Sequence, residues 1–277
     1  MKKAFQIIGI CALTCFSFYY MNKIMDLSRS KDPIMQEIVN VKSKYEIQSV
    51  NAYIKDDTIT SGVSGIKVDV DESYAKMKKL GEYNKNLLVF INDYPKVSIK
   101  NNYDNFVVGA SDTKKEVAIV FVLDDMDSIS IIKDILKRTN INAYFFMDGK
   151  LLESNNDYIN EIVKNGNMLG NLGYDGKYDS TRLKYTNSLI YRYTKKDNKY
   201  CYSDNDKEII SFCKKLSMYT IKGISIDNYS NLKNYLSNGI IIKFNDNKYT
   251  VKSLEMMLNY IKQKGYSVKL LDDLLVE

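Results

Sequence analysis

The sequence predicts an α/β fold built on a parallel sheet, and three observations carry that prediction. Residues 117–123 form an unbroken apolar run, of the kind buried on both faces of a parallel sheet. Downstream of it, short apolar runs alternate with amphipathic stretches of helical period, the rhythm of strand–helix–strand units. Glycines stand where helical stretches end, at Gly166 and Gly265. Rhythm leaves closure open: an open sheet and a barrel both satisfy it.

The chain before this region reads differently. Met1, Lys2 and Lys3 precede an apolar stretch from Ala4 to Met21, close to the roughly 20 residues that span a bilayer. It ends in Phe16, Ser17, Phe18, Tyr19, Tyr20 and Met21, an aromatic margin rather than a small-residue cleavage site. Neither Cys11 nor Cys15 follows the small-residue box of a lipoprotein. These features predict an uncleaved signal-anchor, a transmembrane helix over residues 1–21. Lys23, Arg29 and Lys31 offset Lys2 and Lys3, so charge alone does not orient it. Residues 22–44 are polar, with Ile34, Ile38 and Val41 at helical spacing, and read as a stalk.

Residues 45–112 read as a small α/β module. Ile47, Val50, Ala52 and Ile54 alternate as in a strand, Asp56 and Asp57 mark a turn, and Gly62 and Gly65 a loop. Ser73 is placed to cap a helix whose face carries Tyr74, Met77 and Leu80 and which Gly81 stops. Leu87 to Ile91 is a compact apolar run, predicted to be a buried strand.

Residues 113–277 carry the regular rhythm. After strand 117–123, Ser128 caps a helix with Ile131, Ile132, Ile135 and Leu136, closed by Lys137 and Arg138 near its negative end. The predicted order continues with strand 143–147, helix 158–164, helix 206–216, strand 219–226, strand 240–244, helix 252–263 and a last strand through 268–270.

Composition excludes several chemistries. The 277 residues include no histidine, which rules out an imidazole metal site and a serine–histidine or cysteine–histidine pair. The net charge of +6 is spread over scattered lysines, with no basic stripe interleaved with aromatics, so no nucleic-acid groove is expected. Cys201 and Cys213 fit either a disulfide closing a short loop or two buried thiols; spacing does not decide between them.

The chemistry-bearing residues begin where strand 117–123 ends, at Asp124 and Asp125. The C-terminal end of a parallel strand is where α/β folds place active sites. From here an ordered series resembles the polysaccharide deacetylases, carbohydrate esterase family four. Val122, Leu123, Asp124, Asp125 and Met126 fill the family's Thr-Phe-Asp-Asp-Gly. Ala143, Tyr144, Phe145, Phe146 and Gly149 follow its next strand, and Gly166 to Leu172, with Gly176, follow the frame of its metal-binding histidine motif. Lys199, Tyr200, Cys201, Tyr202 and Ser203 stand at its Arg-Pro-Pro-Tyr-Gly, and Ile240 to Asp246 at the apolar strand ending His-Asp. Residues 265–275 resemble its closing strand and helix, and 74–108 the leader domain of clostridial members.

The resemblance implies a distorted (β/α) barrel over 113–277, a divalent metal held by one aspartate and two histidines, an aspartate base and a histidine acid. Carried over, Asp124 is the base, Asp125 the metal carboxylate, Leu172 and Gly176 the two imidazole positions and Asn245 the acid. Neither Leu172 nor Gly176 offers a donor, and an amide does not release a proton at useful pH. Lys199 stands where an arginine orients the base. The implied protein is an inactive, membrane-anchored member with no zinc or other family metal. Its domain faces the cell exterior and binds peptidoglycan or another N-acetylated glycan through Asn171, Tyr174, Lys199, Tyr202 and Asp246, with Tyr178 and Tyr200 as further stacking candidates. Two alternatives stand beside it: a working hydrolase with a non-standard site, and a scaffold or regulator binding another protein. A calcium or magnesium site from Asp127, Asp175, Asp179 and Asp246 is a subsidiary expectation.

Overall fold

The structure is a computed structural model that describes residues 2–111 and 114–277, and their side chains except at residues 2–12, 22 and 249. The chain divides into two compact units, Met1–Gln48 with Gly65–Asp93, and Ser49–Ser64 with Tyr94–Glu277. The division differs from the expected 45–112 module: residues 49–64 and 94–111 contribute strands to the larger unit.

In the smaller unit, α1 (Lys2–Ser30) is followed by α2 (Pro33–Val41). Among the described residues no helix is long and apolar enough to cross a membrane. Residues 1–12, on which the anchor expectation largely rests, lie outside the described side chains. The expected stalk is in part a core element. Asp32 caps α2 by accepting from the Ile34 amide at 3.0 Å, Pro33 presets its first turn, and Ile34 and Ile38 pack with Val68, Met77 and Leu88. A hairpin-like pair joins the remaining elements of this unit to α3 (Val70–Leu80): the strands that flank it in sequence run 65–69 and 89–93 and pair antiparallel.

Asp69 caps α3 and Gly81 ends it in the left-handed conformation. Ser73 does not cap; its buried hydroxyl accepts from the Val89 amide at 2.8 Å and ties α3 to the 89–93 strand. That strand, expected to be buried, leaves Phe90 and Ile91 about half exposed at 48% and 49%, because a two-stranded ribbon covers only one face.

The larger unit holds most of the strands. Numbered along the whole chain they are β1 (Tyr53–Lys55), β2 (Thr58–Ser61), β3 (Gly65–Asp69), β4 (Val89–Asp93), β5 (Phe106–Ala110), β6 (Glu116–Leu123), β7 (Tyr144–Met147), β8 (Met168–Asn171), β9 (Tyr200–Tyr202), β10 (Tyr219–Ile221), β11 (Ile224–Ile226), β12 (Ile241–Asn245) and β13 (Ser267–Lys269), with β3 and β4 the ribbon of the smaller unit. The large sheet runs β1-β2-β5-β10-β9-β8-β7-β6-β12-β11, with β13 also on β6. Apart from the antiparallel β1–β2 pair, its ladders are parallel.

The helices that interleave are α4 (Ile129–Thr139), α5 (Gly149–Ser154), α6 (Asn156–Lys164), α7 (Ser180–Thr194), α8 (Lys207–Lys214), α9 (Tyr229–Tyr235), α10 (Lys248–Gln263) and α11 (Leu271–Leu274). Alternation along β6 explains the layering. Val117, Ile119, Phe121 and Leu123 pack toward the helices, while Ala118, Val120 and Val122 face an inner core with Tyr144, Phe146, Tyr200 and Tyr202.

The sheet is a curved half-barrel in which β5 and the residue before β12 meet at an antiparallel bridge, Gly109 to Ile240, with the Ala110 amide donating to Gly239 at 2.8 Å. Glycine is required there: a Cβ on Gly239 would lie 2.1 Å from the Ala110 carbonyl oxygen, and its φ is +75°. The inner core below this seam ends in Asp272 of α11, which accepts from the Tyr144 and Tyr200 hydroxyls.

Candidate functional site

At the C-terminal ends of β6 to β9 lies an open cleft of about 740 Å³, and each wall segment is positioned by a local device. After β6, the Asp125 carboxylate accepts from the Asp127 amide at 2.9 Å, and the Ser128 hydroxyl donates to the Asp246 carbonyl at 2.8 Å. These bonds tie the turn after β6 to the turn after β12 and leave Asp124 on the cleft wall. After β7, Asp148 caps α5 through the Lys150 amide at 2.8 Å and also accepts from the Gly176 amide at 2.9 Å. It therefore pins the segment 172–176, on which the motif resemblance puts the two imidazole positions. After β8 the chain turns through Leu172 to Tyr178, and Lys150 pairs with Asp175 at 2.8 Å.

The wall after β9 is the most polar. Lys243, which lies on β12 and is only 8% exposed, reaches Asp204 at 2.8 Å and stands 5.3 Å above the Tyr202 ring. The Tyr202 hydroxyl donates to Asp204 at 2.6 Å. Burial raises the Asp204 carboxyl, but the Lys243 and Tyr202 contacts outweigh it and hold the group below the usual range. Asp246 behaves oppositely: burial, then the charges of Asp125 and Asp124, raise it. Cys201 on β9 and Cys213 on α8 form a disulfide, which settles the choice the sequence left open.

The structure brings Asp124, Leu172, Gly176, Asp175, Tyr178 and Tyr202 into one cleft, whose lining does not include Asn171, Tyr174, Lys199, Tyr200, Asn245 or Asp179. Asn171 is fully buried and acts in the framework, donating to the Leu183 carbonyl and Asn187 and accepting from the Gly173 amide. Tyr174 is outside the cleft lining, its hydroxyl donating to Glu153 at 2.7 Å. Lys199 precedes β9, at the end of the strand remote from the cleft, where it faces Asp272 at 3.7 Å. Tyr200 is buried at that same end.

Asn245 donates to Asp227 at 2.7 Å, and Asp179 caps α7 and pairs with Arg182. Sequence reasoning missed Asp148, Lys150, Asp204 and Lys243. Asp148 follows a strand end directly and Asp204 stands two residues past one, and a lysine inside the apolar run 240–244 is an available signal, because a buried charge demands a partner.

The residues do not fit the family's metal. Leu172 and Gly176 have no donor atom, and Asp125 is engaged in its own turn. Among the described residues no group of three or more His, Cys, Asp or Glu side chains is placed to hold an ion.

Known proteins share this fold. Residues 110–218 match the polysaccharide deacetylase family model, so the resemblance carried by the motifs is a family match over that segment. The uncharacterized protein YlxY of Bacillus subtilis (strain 168) is 25% identical over 276 residues, covering 91% of this chain and 86% of that protein. Wild-type BA3943, a carbohydrate esterase family four pseudoenzyme from Bacillus anthracis, superimposes with a TM-score of 0.65 at 24% identity, over 88% of this chain and 95% of its own. A BA3943 mutant with restored enzymatic activity gives 0.66 at 24%, over 88% and 98%. The α/β half-barrel is therefore of the deacetylase type.

Proposed function

We propose that this chain is a catalytically silent polysaccharide-deacetylase-fold protein that binds cell-wall glycan at the envelope. The observation that carries the reading is the pairing in one cleft of Asp124, the base position, with Leu172 and Gly176 at the imidazole positions. Without those donors a divalent ion lacks the roughly three protein ligands that a catalytic site needs, and Asn245 supplies no acid. The half-barrel and its strand-end cleft support the glycan reading, since the family acts on N-acetylated glycans. The apolar stretch 4–21 supports an N-terminal anchor that holds the domain outside the membrane.

The test is acetate release from N-acetylated chitin oligomers and peptidoglycan by the detergent-purified full chain, with zinc, cobalt, calcium or magnesium. No release is expected from the natural chain. Leu172→His, Gly176→His and Asn245→His together are expected to create zinc affinity. Histidine tolerates the left-handed φ of +68° at position 176 better than most side chains, and no heavy atom lies within 4 Å of a Cβ there. Acetate release by the natural chain that vanishes in Asp124→Ala would overturn the reading. Alkaline extraction and external protease digestion of intact cells check the anchor and its orientation.

A further inference from the structure

The glycan reading leaves open which chemical form of the sugar the cleft takes, and the charge on its walls addresses that. The inference rests on that reading. Asp124, Asp148, Lys150, Asp175, Asp204 and Asp206 line the cleft. Lys150 is engaged by Asp175 and Asp204 by Lys243, each at 2.8 Å. Among the described residues Asp124, Asp148 and Asp206 have no ion pair. Three further cations lie nearby: Lys222 donates to Asn205 at 2.8 Å, and Lys177 and Arg182 act on Asp175. All three serve walls that already hold a lysine, and Asp124 has no cation paired with it among the described residues.

Such a surface favours a cationic ligand. A compact divalent ion needs six or more oxygens converging at short range, and the carboxylates here do not converge in groups of three. Separated carboxylates suit separated charges, as an oligosaccharide with one ammonium on each amino sugar presents. Leu151, Leu172, Ile209 and the rings of Tyr178 and Tyr202 supply apolar surface for the sugar faces. A neutral acetamide in the same place would desolvate carboxylates without pairing them.

We infer that the cleft receives de-N-acetylated glycan, recognising 2-amino-2-deoxy sugars as ammonium ions in preference to their N-acetylated parents. The ligand is then the product of an amide hydrolysis carried out by another protein.

The experiment is calorimetric titration of the detergent-purified full chain with chitosan hexamer and with chitin hexamer, at about pH 6, where sugar amines are protonated. Chitosan hexamer is expected to bind roughly tenfold more tightly or better, and its affinity to fall as salt rises. Asp124→Asn is expected to lose about fivefold with its melting temperature unchanged. Asp206→Asn, which keeps the cap of α8, is the companion charge removal should the first variant fold poorly. Chitin hexamer binding as tightly as chitosan hexamer overturns the inference and leaves the glycan reading standing. Binding of neither overturns both. Displacement of chitosan by calcium or by a short polylysine at equal charge concentration overturns the sugar assignment.

Discussion

The two ends of the half-barrel are built on the same strands and resolve their polar groups in opposite ways. At the closed end, Tyr144 and Tyr200 both donate to Asp272, and burial raises both phenols so that they remain neutral donors. Asp272 and both phenols are partnered within the fold. At the open end, Asp246 is raised by burial and by the charges of Asp125 and Asp124. An arrangement that keeps like charges together does not serve stability, and unfavourable groups of this kind gather where a protein meets a ligand. The contrast leaves paired polar groups at the closed end and unpaired carboxylates at the open one, where the proposed ligand would bind.

The largest expected effect tests the inner core that joins the two ends. Phe146 is fully buried among Tyr144, Tyr202 and the Gly170 backbone, so Phe146→Ala is expected to cost about 3–5 kcal/mol. The urea midpoint measures this. Next comes the seam. Gly239→Ala combines a steric overlap with a positive φ and is expected to cost about 2–3 kcal/mol, read by thermal melting; a change within error would mean the sheet does not depend on that bridge.

The smallest effect belongs to the open end and has the opposite sign. A carboxyl raised in the folded state holds its proton more tightly there than in the unfolded chain. Asp246 therefore costs stability as pH rises from its unfolded to its folded pKa and beyond, and costs none below both. Asp246→Asn is expected to stabilise by a few tenths of a kcal/mol at neutral pH and by nothing in acid, where the aspartate is already protonated. Melting curves of both proteins across that range decide it.

Much of the framework was legible because its strands are buried on both faces. The runs 117–123, 143–147 and 240–244 reappear as β6, β7 and β12 with small boundary shifts. Helix α7 escaped notice because threonine, asparagine and tyrosine dilute its apolar stripe. Asp179 as a cap, with Leu183, Leu189 and Ile190 on one face, would have revealed it. The run 219–226 is interrupted at Lys222 and Gly223, and its halves join different neighbours, β10 beside β5 and β9, β11 beside β12.

For the site, Asp124, Leu172 and Gly176 line one cleft because strand order and strand ends bring them there. Lys199 and Asn171 do not. Lys199 precedes the first residue of β9 and so lies at the end remote from the cleft, and a buried asparagine is claimed by backbone groups that sequence spacing does not show.

The disulfide between Cys201 and Cys213 bears on how the open end works. It joins the last turn of α8 to β9, and the lip Ser203 to Asp206 lies between them. Staking both sides of that lip means its conformational freedom is surrendered when the chain folds rather than when a ligand arrives. Reduction should therefore slow nothing in the cleft's approach to ligand but shorten the ligand's stay, a change in residence time that appears in the dissociation rate while the barrel behind it stays folded.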